Sequence, residues 1–407
     1  MNKNAIVGQS GGPTAVINAS LAGVIEATFN REINRIYGMQ NGIRGFLEER
    51  IFELNGIFNN SLQIELLKRT PSSYLGSCRY KLPCVEQDEE IYEEIFSILN
   101  KYNIGYFFYI GGNDSMDTIC KLANYGKNIN SDIRFIGIPK TIDNDLMLTD
   151  HTPGYGSAAK YIGTVMRELT RDATVYGTPY VTIVEIMGRN AGWLTAASSL
   201  AKSDDCEGAD MICLPEIPFN LDKFITKVEN MQKGKKSTLI AVSEGIKLQD
   251  GRYVCELSDD MRFTDAFGHK SLTGTARYLS NYVAKTLGIK TRPIEFSTLQ
   301  RCASHLTSRT DITESYQVGG AGVKRAVEGG TGEMIALKRL SNDPYQCTTE
   351  YVDINKVANY EKKVPLEWIN ESNTDMTKQF HQYARPLIQA ELTPIFINGL
   401  PRHIYLG

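Results

Sequence analysis

GYFFYIGGNDSMDTICKLANY, residues 105–125, is the stretch whose reading decides the fold. GYFFYI (105–110) carries no charge and reads as a strand, two glycines break the run, and helical spacing follows from 114 to 125. A strand that is apolar on both faces belongs in a parallel sheet covered by helices on both sides. Outward from this stretch, similar runs recur at IVG (6–8), IRFIGI (133–138), YVTIVEI (180–186), MICLP (211–215) and TLIAVSEG (238–245). Residues 15–29 and 88–102 add helical periodicity between them. The pattern predicts a doubly wound α/β fold.

At 407 residues the chain exceeds the usual size of one core, so two α/β domains, or one with large insertions, are expected. The turn-rich LTDHTPGYGSAAK (148–160) precedes a helix-like stretch to about Arg171 and marks the expected crossover. The expected division is 1–150 with a return segment near 299–345, then 151–298, then a wrap over the surface at 346–407. Prolines in EKKVPLEWINESN and ARPLIQAELTPIFINGLPRH make a regular helix unexpected in that wrap.

Composition excludes several classes. With 42% hydrophobic and 22% charged residues the chain has ordinary globular composition, and no 18-residue apolar run could span a bilayer. A net charge of −3 argues against nucleic acid as a partner. The eight cysteines form no C-x-x-C pair and no histidine pair stands beside them at ligand spacing, so neither zinc nor disulfides are expected. The opening MNKNAIVGQSGG lacks the pattern of a signal peptide, and a cytoplasmic location is expected.

Three strand ends can carry chemistry. GQSGGPTAVINAS (8–20) is a strand, a glycine turn and a helix start, where backbone N–H groups could cradle phosphate. It is neither a Walker A loop nor G-x-G-x-x-G, and taken alone a plain tight turn fits as well. YIGGNDSMDT (109–118) repeats the arrangement with Asp114 beside the glycines; capping by Asn113, Asp114 or Ser115 accounts for the polar residues but not for the glycine pair. PKTIDNDL (139–146) places Asp143 and Asp145 after a strand, with Lys140 and Thr141 before them, where ligands bind in open α/β sheets. One carboxylate could accept a hydroxyl proton while the other orients a metal or lysine, although a polar surface turn remains open. Arg79, Arg189, Arg292 and Arg301 are candidates for forked contacts to phosphate. His151, His269, His305, His381 and His403 form no recognisable triad and read as structural or surface groups.

In order, SGGPTAVIN, LGSCR, GGNDS, PKTIDND, MGRNAGW, SEG and LQRCASH resemble the phosphofructokinase family along nearly the whole chain. The resemblance implies two Rossmann-like three-layer α/β domains with the active site in the cleft between them. It also implies Mg²⁺-dependent phosphoryl transfer to fructose 6-phosphate by a homodimer or homotetramer. By motif, Asp143 resembles the base for the C1 hydroxyl, with Asp145 supporting it and Thr141 near the transferring group. Gly11, Gly112 and Arg79 resemble donor-phosphate contacts. Thr141, Ile142, Asp143, Met187, Gly188, Arg189, Glu244, Arg292, Thr298, Leu299, Gln300 and Arg301 resemble the sugar-phosphate site. Asn113 stands where many members have an Mg²⁺-associated aspartate.

Asp114 and Lys140 replace glycines common in ATP-using members, which points to pyrophosphate as donor and gives both residues a part in catalysis. Thr298 stands in a slot that is His or Tyr in familiar members, and Tyr180 replaces an arginine that reaches the neighbouring subunit in bacterial ATP enzymes. The alternatives are an ATP-dependent enzyme and a non-catalytic regulatory subunit.

Overall fold

The computed structural model describes residues 3–29, 31, 33–175, 177–258 and 272–406. Its main strands are β1 (Asn4–Gln9), β2 (Ile36–Met39), β3 (Ile51–Glu53), β4 (Ile104–Gly111), β5 (Arg134–Pro139), β6 (Tyr180–Ile186), β7 (Met211–Cys213), β8 (Ser237–Ser243), β9 (Lys290–Glu295), β10 (Glu333–Asn342) and β11 (Tyr345–Asp353). The larger helices are α1 (Ile17–Phe29), α2 (Gly42–Leu47), α3 (Ser61–Lys68), α4 (Glu90–Lys101), α5 (Asn113–Asn128) and α6 (Tyr155–Ala173). They continue with α7 (Trp193–Ala196), α8 (Leu221–Gly234), α9 (Thr275–Leu287), α10 (Leu299–Cys302), α11 (Arg309–Val327) and α12 (Lys378–Ala384).

One sheet has the order β11-β10-β5-β4-β1-β2-β3, the other β7-β8-β6-β9. Every pairing of the small sheet is parallel, whereas the large sheet is parallel in its centre and antiparallel at both edges. Side-chain alternation puts Ile6, Phe107 and Tyr109 on one face of the large sheet with α4 and α5, and Val7, Phe108 and Ile110 on the other with α1 and α11. The small sheet divides likewise: Val184 and Ile186 face α6 and α12, while Val181 and Ile183 face α8 and α9. Both units are three-layered, as the uninterrupted apolar runs required. All six of those runs are strands.

The crossover stretch leads from β5 to α6. His151 fastens it, with Nδ1 2.8 Å from Asp150 and Nε2 2.6 Å from Glu314 of α11. Burial lowers the affinity of His151 for a proton, but the two carboxylates outweigh that and hold its pKa up at about 9. His269 lies outside the described residues. The boundary expected at 346 falls inside β11, which pairs along its length with β10, and the segment after it is more than a surface wrap, because Phe380, Tyr383 and Leu387 are buried in the core beside the small sheet. The wrap does hold a regular helix, α12, because Pro365 and Pro386 bracket it rather than interrupt it.

Candidate active site

The carboxyl ends of β1, β4 and β5 face those of β6 and β8 across a cleft of about 680 Å³. Its walls include Gly11, Arg79, Gly112, Asp114, Lys140, Thr141, Ile142, Asp143 and Asp145 from the large-sheet side. Met187, Arg189, Glu244 and Arg301 complete it from the other side.

The first glycine turn is held from behind. Gln9, buried at the end of β1, donates to Asn18 Oδ1 (3.0 Å) and accepts from the Leu75 N–H (2.9 Å). Gly11 donates to the Cys78 carbonyl (3.2 Å) and accepts from the Ser77 hydroxyl (2.6 Å), which sets the neighbouring Arg79 at the cleft. Gly11 has φ 74°, a left-handed conformation that costs other residues about 1 kcal/mol. A Cβ on Gly12 would stand 2.9 Å from a terminal nitrogen of Arg301, so the backbone there is bare where an arginine packs on it.

The second turn enters α5 directly, with Gly112 at its N-cap and Asp114 in its first turn. The helix N-terminus therefore opens on the cleft. Ser10 and Ser115 hydrogen-bond at 2.5 Å and join the two turns. A Cβ on Gly111 would lie 1.8 Å from Ser115 Oγ, which explains the glycine.

Lys140 lies between the turns. Its backbone N–H donates to the Gly111 carbonyl (2.9 Å) and its ammonium to the Gly12 carbonyl (2.7 Å), and the side chain is buried. Burial pulls its pKa down to about 8, with Arg301 and Arg79 adding to the fall and Asp143 and Asp145 opposing it. Asp143 moves the other way: burial raises it, against the pull of Lys140, Arg189 and Arg301. Burial, Asp143 and Glu361 push Asp145 up to about 7, and burial and Asp143 do the same for Glu244.

The loop carrying these aspartates is braced at each position. Thr141 Oγ1 accepts from the Asp143 N–H (3.1 Å), and the Thr141 carbonyl accepts from Thr152 Oγ1 (2.8 Å). Asn144, at φ 55°, donates to the Tyr383 hydroxyl (2.8 Å) and accepts from the Thr152 N–H (3.0 Å). Gly188 (φ 144°) donates to Glu244 (3.4 Å) and shapes the sugar side through its backbone.

Five sequence-derived sugar residues do not line the cleft. Besides Gly188, Gln300 is buried and accepts from the Met187 N–H at 3.3 Å, so it positions the wall rather than forming it. Thr298 and Leu299 begin the short α10 and are exposed. Arg292 is on β9, the edge strand, where its guanidinium lies over the Tyr180 ring (5.6 Å) and reaches Asp172 at 3.4 Å. A mid-strand side chain there faces away from the strand ends that make the cleft. Asn113 differs from the metal-binding expectation as well: both ends of its amide bond backbone, Oδ1 to the Asn359 N–H and Nδ2 to the Tyr360 carbonyl, each at 2.6 Å. Asn359, Tyr360 and Glu361 line the cleft with Lys81 and Asn190, and none was singled out in the sequence. Only the proximity of Glu361 to the KTIDND loop could have revealed it, and that proximity is tertiary.

A family profile described as phosphofructokinase matches residues 4–323. The chain is 40% identical over 403 residues to the pyrophosphate-fructose 6-phosphate 1-phosphotransferase of Halomonas elongata, covering 98% of this chain and 95% of that one. It is 38% identical over 408 residues to the protein of the same name from Methylococcus capsulatus, covering 99% and 96%. The crystal structure of a pyrophosphate-dependent phosphofructokinase from Nitrosospira multiformis superposes with a TM-score of 0.88 at 38% identity, covering 99% of this chain and 96% of that one. With two three-layer units, a cleft between their strand ends and a profile match over most of its length, the chain belongs to the phosphofructokinase family.

Proposed function

We propose that this chain transfers a phosphoryl group reversibly from pyrophosphate to the C1 hydroxyl of fructose 6-phosphate, giving fructose 1,6-bisphosphate and phosphate. The observation that carries this reading is the buried Lys140 ammonium, seated on the Gly12 carbonyl between both glycine turns, with Asp114 farther along the second turn. Met187, Arg189, Glu244 and Arg301 take the sugar phosphate. Asp143 accepts the hydroxyl proton as the C1 oxygen bonds to phosphorus and the bridging P–O bond of pyrophosphate breaks. A carboxylate pKa raised by burial suits a base working near neutrality. Lys140 and Arg79 meet the charge on the transferring and departing phosphates, and the α5 N-terminus at Gly112 offers backbone N–H groups, whereas the Gly11 N–H is taken by the Cys78 carbonyl.

Mg²⁺ fits these residues. Among the described residues no group of three or more His, Cys, Asp or Glu forms a metal cage, and Mg²⁺ characteristically uses one or two carboxylates plus substrate phosphates. Asp145 is the cleft carboxylate that would hold it together with the substrate phosphates, and when bound it neutralises phosphate charge. Arg292, exposed on its edge strand, is available to a neighbouring subunit in a homodimer or homotetramer. No described helix is long and apolar enough to cross a membrane, and we place the enzyme in the cytoplasm.

The test is turnover of purified protein with fructose 6-phosphate and Mg²⁺, offered pyrophosphate or ATP separately. Pyrophosphate supports turnover and ATP does not. Turnover with ATP alone would replace the donor, and failure with both would overturn the enzymatic reading in favour of a regulatory subunit.

A further inference from the structure

Residues 359–362 run without regular structure along the cleft. They connect Ile354, Val357 and Ala358, packed in the core beside the large sheet, to Val364 and Ile369, packed in the core beside the small one. Every residue of this strap is tied to a wall of the site. On the large-domain side, besides the two Asn113 bonds, Asn359 Nδ2 donates to Asp117 Oδ1 (2.9 Å). On the small-domain side, Asn190 donates to Glu361 (2.7 Å) and Trp193 Nε1 to the Lys362 carbonyl (2.9 Å). At the catalytic loop, the Lys362 N–H donates to the Asp145 carbonyl (2.7 Å), while its ammonium reaches the carbonyls of Thr149 (3.0 Å) and Asp150 (2.8 Å). The strap lies beyond residue 323, where the match to the family profile ends.

We propose that this strap, latched by Asn113, limits the length of the phosphoryl donor, adding to Asp114 in disfavouring nucleoside triphosphates and condensed phosphates longer than two units. The inference rests on the pyrophosphate reading of the same cleft. In-line transfer needs the departing phosphate on the side of phosphorus away from the C1 hydroxyl. With the sugar held by Arg189 and Glu244, that side is the α5 N-terminus. A third unit attached to the departing phosphate extends past Asp114, and the backbone of Asn359 and Tyr360 is bonded to Asn113 at that end. The latch needs an amide. It accepts from one strap residue and donates to the next, whereas an aspartate would set its carboxylate against the Tyr360 carbonyl. Asp114 opposes a longer donor by charge, and the strap opposes it by occupying space.

Inorganic tripolyphosphate separates length from nucleoside recognition. Wild type, Asn113→Asp and the double variant Asn113→Ala with Asn359→Gly are compared for kcat/KM with pyrophosphate, tripolyphosphate and ATP. Glycine suits the left-handed backbone of residue 359 (φ 67°), so the double variant removes side-chain bonds without adding strain. Limited trypsin digestion at Lys362 and Lys363 reports whether the strap has been released. Wild type favours pyrophosphate over tripolyphosphate by at least about 10²-fold, and the double variant narrows that ratio at least about tenfold. Cleavage at 362–363 accelerates in both variants. An unchanged donor ratio in the variants overturns the length limit, and unchanged cleavage overturns the latch. Wild type lacking pyrophosphate turnover would instead sink the activity itself, and this inference with it.

Discussion

The two glycine turns that floor the cleft look alike in sequence and differ in what they present. Both follow parallel, adjacent strands, β1 and β4. After β1 the chain takes a left-handed step at Gly11 and wanders to Ile17 before α1 begins, so no helix N-terminus stands at the first turn. After β4, Gly112 caps α5 at once. The first turn offers a carbonyl, at Gly12, and receives the Lys140 ammonium on it. The second offers a helix N-terminus, favourable to anions, and carries a carboxylate, Asp114, in its first turn. The cation arrives from β5 and belongs to neither turn. In the proposed reading, charge is thus divided along the donor site: positive at the transferring phosphoryl group, negative beyond the departing one. That division suits a donor of two phosphates.

The largest expected effect comes from removing the acceptor-side partner of the lysine. Asp143→Ala lowers kcat at least about 10²-fold while fructose 6-phosphate binding, followed by calorimetry, stays near wild type. Near-normal turnover would move the base elsewhere and leave Lys140 without its reaction.

A smaller effect contrasts the two turns directly. In Gly12→Ala the new Cβ displaces Arg301, whereas at Gly112 a Cβ has nothing closer than the Lys140 carbonyl at 3.5 Å, an ordinary contact. Gly12→Ala therefore raises KM for fructose 6-phosphate about tenfold, and Gly112→Ala changes it less than about threefold. Equal responses in steady-state kinetics would dissolve the distinction.

The mildest test is pH. Lys140 keeps its proton below about 8 and loses it above, so kcat/KM falls on the alkaline side of that value. The acid limb belongs jointly to Asp143, Asp145 and Glu244, all raised by burial, and lies well above the usual carboxylate range. Bound phosphates favour charged Lys140, so the alkaline limb of kcat lies higher than that of kcat/KM. Coincident alkaline limbs would mean that the ammonium does not face the donor.

The strand ends were legible because each is a local signal: an apolar run, then Gly-Gly or KTIDND. What was missed is not local. Strand β9, KTRPIE, mixes charges with a proline and has no buried residue, as an edge strand tolerates, and so it gives no apolar run. Its direction also decides that Arg292 leaves the cleft, which the motif cannot say. The exposed positions of the β10–β11 hairpin are likewise mostly polar, with Leu340 and Tyr351 as exceptions. Asp114, Lys140 and Asp143 were readable from their motifs, but the strap at 359–362 has no motif, and only the packing of its two ends on different cores brings it to the site.

Donor preference in Asp114→Gly, Lys140→Gly and the double variant tests the charge division most directly. With fructose 6-phosphate and Mg²⁺ present, Asp114→Gly gains detectable ATP turnover, because like-charge repulsion beyond the second phosphate is gone. Lys140→Gly loses about 10²-fold in pyrophosphate-dependent kcat, because the transferring group loses its buried cation. The double variant shows both changes. Unaltered exclusion of ATP in Asp114→Gly, together with undiminished pyrophosphate turnover in Lys140→Gly, would contradict the account.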